Sequence, residues 1–128
     1  MSLTHVWLRT PADGLVRGDQ VVGIDVHQTP QLTGKRSHWL IDVVLPAPVG
    51  SGVRGEWDLT ALHRTLVQTS QPPGDAATVL ARLLAQLDAA DAAGVVEVSA
   101  HPQQDTDAAG ELLATNGGHV AFRFVPFA

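Results

Sequence analysis

Residues 23–44 read GIDVHQTPQLTGKRSHWLIDVV, and within them the tripeptide Ile-Asp-Val occurs twice, at 24–26 and at 41–43. Each copy lies in an apolar run that alternates with polar residues at period two, the pattern of a strand with one buried face. Turn-forming residues from Pro30 to Gly34 separate the two runs. A hairpin centred on Thr33-Gly34 sets Ile24 against Val43, Val26 against Ile41 and Val22 against Leu45, which makes one face wholly apolar. The same register places Asp25 directly opposite Asp42 on the other face, with His27 one pair nearer the turn and His38 diagonal to it. Directly opposed carboxylates destabilise a strand pair unless a cation, a shared proton or a bulge relieves them. A shift of two residues keeps both faces and sets His27 against Asp42 instead, whereas a shift of one does not preserve the grouping.

Working outward, period-two alternation predicts strands over Leu3 to Arg9, Val21 to Gln28 and His38 to Leu45, bounded by Pro11 to Gly14 and Pro30 to Gly34. After Pro46 and Pro48 a glycine-rich stretch runs to Gly55, and the period changes: Leu59, Leu62, Leu66 and Val67 fall on one helical face, with Asp58 as N-cap and an end near Ser70. Gln71 to Gly74 reads as a turn. Asp75 then caps a second helix whose stripe is Val79, Leu80, Leu83, Leu84 and Leu87, stopped by Gly94. A strand over Val95 to His101, a third helix over Asp105 to Asn116 closed by Gly117-Gly118, and a strand over His119 to Val125 complete the chain. The expected fold is α+β: residues 1–128 as one domain, a two-layer sandwich of order β-β-β-α-α-β-α-β, with a mainly antiparallel five-stranded sheet carrying helices on one face. The last strand-helix-strand unit has the form of a parallel crossover of near-minimal length.

Composition narrows the function classes. At 128 residues the chain buries about two-thirds of its unfolded surface, enough for one core without a metal or disulfide. Only 16% of residues are charged against 45% hydrophobic, which argues against disorder and leaves apolar surface for a protein partner. The net charge is −5, and the seven Arg and single Lys35 are scattered, so no basic stripe for nucleic acid exists. Without cysteine, any metal would have to use His and carboxylate. The first residues lack a basic segment followed by an apolar one, and no run reaches the length of a membrane span, so the expected location is cytoplasmic. The Ala/Val/Gly/Asp-rich, Arg-over-Lys usage resembles that of a GC-rich bacterial genome, an association that carries no mechanism.

If one sheet carries all the strands, its outer face collects Asp25, His27, His38, Asp42, Glu97 and His101, with Ser99 and His119 nearby. Val96, Val98, Phe122 and Phe124 face the core, and Arg123 becomes the counter-ion for Asp25 or Asp42 if the last strand is adjacent. Val21, Leu40, Val44 and Val125 share that outer face and give it a mixed apolar and ionic character suited to an interface. Asp25, His27, Asp42 and His101 have the residue types of a general acid/base pair or a His/carboxylate metal site, although no motif spacing assigns a metal or a cofactor. Gly50, Gly52 and Gly55 formally match a phosphate-binding glycine loop, but the prolines and antiparallel strands before them argue against one. Ser51 lacks a nucleophile elbow, and Ser37 points away from His38. His63 falls on the first helix as a packed or solvated residue, and Trp39 is core; Trp7 and Trp57 could line a pocket with it. The leading expectation is a small non-enzymatic interaction module, self-associating as a homodimer through Val21, Leu40, Val44 and Arg123 or through an edge strand. The alternative is a His/carboxylate enzyme or metal-binding protein on the same face.

Overall fold

The computed structural model describes residues 2–11, 14–53, 56–100, 113–115 and 120–128. The strands are β1 (Val6–Thr10), β2 (Gly14–Arg17), β3 (Gly23–Gln28), β4 (Trp39–Val53), β5 (Glu56–Thr69), β6 (Gly94–Ser99), β7 (Leu113–Thr115) and β8 (Ala121–Pro126), with helix α1 (Ala76–Ala89) between β5 and β6. They form two sheets, a five-stranded one in the order β2-β1-β6-β8-β7 and a three-stranded one in the order β3-β4-β5. The expected two-layer sandwich built on a single sheet is therefore corrected. The repeated Ile-Asp-Val segment does not join the strands from the two ends of the chain; it forms a separate sheet with the residues that follow it.

The hairpin register is the one that alternation dictates. Ile24 pairs with Val43, Val26 with Ile41 and Asp25 with Asp42. Leu32 and Lys35 close the turn through a 2.8 Å bond from Lys35 N to Leu32 O, with Gly34 at φ +78. That positive φ at the second central position is why a glycine is needed there. Ile41 and Val43 are fully buried, and Ile24 and Val26 pack beside them.

The first expected helix does not form, because residues 56–69 are strand β5, antiparallel to β4 from Trp39↔Thr69 to Val53↔Glu56. Two register shifts explain the false helical period. One falls between Ile41 and Asp42, so that Asp42 pairs with Thr65 while Ile41 pairs with Val67, and Leu66 is the extra residue of a bulge. The bulge brings Leu62, Leu66 and Val67 to spacings of four and five, which in sequence resemble a helix face. The other shift takes up Pro46 and Ala47, between Leu45↔Leu62 and Pro48↔Ala61. Gly50 and Gly52 stand in the same ladder opposite Leu59 and Trp57, so they open no helix and form no phosphate loop.

Helix α1 is the expected second helix, and Val79, Leu80, Leu83, Leu84 and Leu87 are all buried. Burying each such side chain contributes about 1.5–3 kcal/mol. Asp75 holds the N-cap position without a side-chain capping bond, and the helix ends at Ala90 before Asp91 at φ +52. Gly94 does not stop the helix; it opens β6. The expected third helix lies largely outside the described residues, and Leu113–Thr115 within it is strand β7. β8 runs antiparallel to β6, so no parallel crossover links them; the parallel pair is β1 with β6, through Val6↔Gly94 and Leu8↔Val96. β2, which alternation left unassigned, pairs with β1 through Leu8↔Val16.

One cluster of buried side chains joins both sheets and the helix: Val6, Leu8 and Val16, then Ile41, Val43, Leu66 and Val67, the α1 stripe, and Val96, Phe122 and Phe124. Among the described residues no helix is long and apolar enough to cross a membrane. Backbone approaches closely at Gly94, where a Cβ would stand against Val125 O, 2.6 Å from Phe124 Cζ and 2.7 Å from Pro126 Cα. Two of those atoms are backbone and cannot swing away, so Gly94→Ala is expected to lower stability by about 1–3 kcal/mol or more, read as a lower urea midpoint with an unchanged slope.

Candidate metal centre

The centre of the three-stranded sheet holds its most unusual side chain. Asp42 lies on β4, the middle strand, and is only 4% exposed although it points to the face opposite the apolar core. Neighbouring strands and its own strand wall it in: Leu40 and Val44 stand two residues to either side, Asp25 pairs with it from β3, and Thr65 pairs with it from β5. A buried carboxylate is costly unless its oxygens find partners. Both do. Thr65 Oγ1 donates to Asp42 Oδ1 at 2.8 Å, and His27 Nε2 lies 3.0 Å from Asp42 Oδ2.

His63 is the further member. It faces the same side of the sheet because it pairs with Val44, and its Nδ1 lies 3.6 Å from Asp42 Oδ2 and 3.9 Å from Asp25 Oδ2. The side chains of Asp25, His27 and His63 are 46%, 43% and 42% exposed, so the group opens to solvent above a buried floor formed by Asp42. The β4–β5 bulge builds this floor. By inserting Leu66 between the pairs Ile41↔Val67 and Asp42↔Thr65, it turns the Thr65 hydroxyl onto Asp42 while keeping Leu66 and Val67 buried.

Of the residues expected at a site, Asp25, His27 and Asp42 are brought together; one ligand atom from each lies within 4.8 Å of the others. Leu40 and Val44 flank them, opposite His27 and Gly23, and are half-buried. Four other residues stand elsewhere than expected. Val21 packs against the core cluster instead of facing outward. Arg123 is on β8 in the five-stranded sheet, opposite Glu97 and Leu113, and so is no counter-ion for either aspartate. Glu97 belongs to that sheet as well, 3.5 Å from Arg9 Nε. His38 is bonded through its backbone to Thr29 at the end of the hairpin, outside the cluster. His101 and His119 lie outside the described residues.

In the sequence neither His63 nor Thr65 is joined to the aspartates, because the apolar spacing of residues 59–67 reads as a helix and sets His63 on it. The available signal was Thr60, Thr65, Val67 and Thr69, a density of β-branched residues that favours strand.

Chemically, two carboxylates and imidazole nitrogen on one sheet face form a hard-to-borderline donor set. It suits zinc, cobalt, nickel or manganese better than magnesium or calcium, which take all-oxygen shells. Asp25 and His27 lie on β3, Asp42 on β4 and His63 on β5, so the strand register fixes the backbones that carry these groups.

Comparison with known protein families, curated proteins and solved structures returned no match.

The Thr65 bond can be weighed on its own. Thr65→Val keeps shape and strand preference but removes a donor from a buried carboxylate, so it is expected to cost about 1.5–3 kcal/mol. Thr65→Ser should recover most of that loss, with both differences read from urea denaturation at neutral pH.

Proposed function

We propose that the protein binds a divalent transition-metal ion on the outer face of its three-stranded sheet, with Asp25, His27 and Asp42 as ligands. The observation that carries this reading is the clustering of their donor atoms within 4.8 Å, with Asp42 fixed from beneath by Thr65. Like charges directly opposed across a strand pair cost stability, and an ion between them turns that cost into binding energy. Imidazole donors make zinc the first candidate.

The test uses protein purified without a histidine tag and stripped by chelator. Calorimetric titration is expected to show one zinc bound per chain, and magnesium and calcium are expected to bind far more weakly. At a zinc concentration one hundred times the dissociation constant, the stabilisation is about 2.7 kcal/mol, a rise in Tm of roughly 10 °C. Asp25→Asn combined with Asp42→Asn should abolish both effects. Equal zinc binding by the wild type and this folded double variant would reject the site.

A second reading, self-association, has a separate support. β3 is an edge of its sheet, and Val22 beside it is 66% exposed, while Leu40 and Val44 lie half-buried on the same sheet's outer face. An apolar edge of this kind offers itself to a second copy of the chain. Sedimentation velocity at micromolar concentration is expected to show a dimer that Val22→Glu or Leu40→Glu converts to monomer; a monomeric wild type removes this reading and leaves the metal site intact.

A further inference from the structure

Resting on the metal reading, we infer that His63 is the fourth ligand, so that the ion is held in a closed four-coordinate shell and fastens β3, β4 and β5 together instead of serving as a hydrolytic centre. The argument begins with distances. In a tetrahedral shell with bonds of about 2.0–2.1 Å, neighbouring donor atoms stand about 3.3–3.4 Å apart. His63 Nδ1 is 3.6 Å from Asp42 Oδ2 and 3.9 Å from Asp25 Oδ2. Both approach the edges of such a shell, and His27 Nε2 at 3.0 Å from Asp42 Oδ2 supplies a third edge; His63 stands outside the group whose donor atoms all lie within 4.8 Å of one another, so its ring must turn inward to complete the shell.

The denticity of Asp42 supplies an independent argument. Thr65 occupies Oδ1 at 2.8 Å, so Asp42 presents Oδ2 alone, the oxygen that both histidines approach. A carboxylate held to one oxygen favours low coordination number, whereas a two-oxygen grip would favour the larger shells of calcium or manganese. Two monodentate carboxylates and two neutral imidazoles then balance the charge of the ion and leave no open position for an activated water, which a hydrolytic zinc site keeps. Each of the three strands contributes: Asp25 and His27 from β3, Asp42 from β4, His63 from β5. The ion thus ties the edge strand β3 to β5 across the middle strand, where the backbone ladders alone connect them only through β4.

Cobalt(II) titration reads coordination number directly, since four-coordinate cobalt absorbs strongly in the visible and six-coordinate cobalt weakly. Tag-free wild-type protein is expected to give the strong bands and His63→Ala the weak ones, with zinc affinity reduced about a hundredfold or more, beyond what losing an outer-sphere partner costs. His63 is on the exposed rim, so the variant is expected to fold, and His38→Ala, a nearby histidine outside the cluster, should match the wild type. Strong bands and unchanged zinc affinity in His63→Ala, with both lost in Asp42→Asn, would overturn the fourth ligand and leave the three-residue site standing. No cobalt or zinc bound by the wild type would overturn the metal reading and this inference together.

Discussion

Asp25 and Asp42 stand opposite each other across the β3–β4 ladder, and the structure around them is organised by the need to compensate that pairing. The register that opposes them is the same one that stacks Ile24, Val26, Ile41 and Val43 toward the core, so the carboxylates cannot be separated by a one-residue slip without turning the apolar residues outward. The cost of the opposed charges is therefore locked in by the burial of four aliphatic side chains, a term of several kcal/mol. Compensation comes from the flanking strands. β3 contributes His27, and β5 contributes Thr65 and His63.

The bulge in β5 links this compensation to the core. An unbroken alternation through residues 62–69 would carry Leu66 and Thr65 to opposite faces but would also displace Val67 from the side that Ile41 occupies. With Leu66 as an extra residue, Leu66 and Val67 are both buried while Thr65 still reaches Asp42. A single backbone irregularity thus serves packing on one face and a polar network on the other, and bulges commonly re-aim side chains at functional sites in this way.

What the sequence discloses follows from how local each contact is. The β3–β4 hairpin is legible because both strands alternate cleanly and one short turn sets their register, and α1 is legible because five apolar residues repeat at helical spacing. β5 is not legible, since its bulge imitates a helix and its pairing with β4 extends over a long ladder whose register shifts leave no local mark. The five-stranded sheet is hidden for a different reason: Val6 pairs with Gly94, bringing together segments separated by the whole three-stranded sheet and the helix. A single sheet would bring Glu97 and Arg123 toward the aspartates, whereas the two sheets separate them and set His63 beside Asp42. The site was legible for Asp25, His27 and Asp42, whose placement depends on the hairpin alone.

The most informative residue of the site is then the least buried carboxylate. Asp42, His27 and Thr65 form a self-sufficient network: one oxygen accepts from a hydroxyl and the other meets an imidazole, as a buried acid requires. Asp25 contributes nothing to that network. Its side chain is 46% exposed, and among the described residues its ion-pair neighbour is His63 at 3.9 Å, longer than the contacts that hold Asp42. In a purely structural arrangement a neutral strand-former at this position would avoid the repulsion and lose no bond. A second carboxylate opposite the first becomes favourable once a cation stands between them, and the two histidines that approach Asp42 Oδ2 from either flanking strand are the donors such a cation would take. On the proposed reading, the pairing of Asp25 with Asp42 is a cost to the sheet that ion binding would repay.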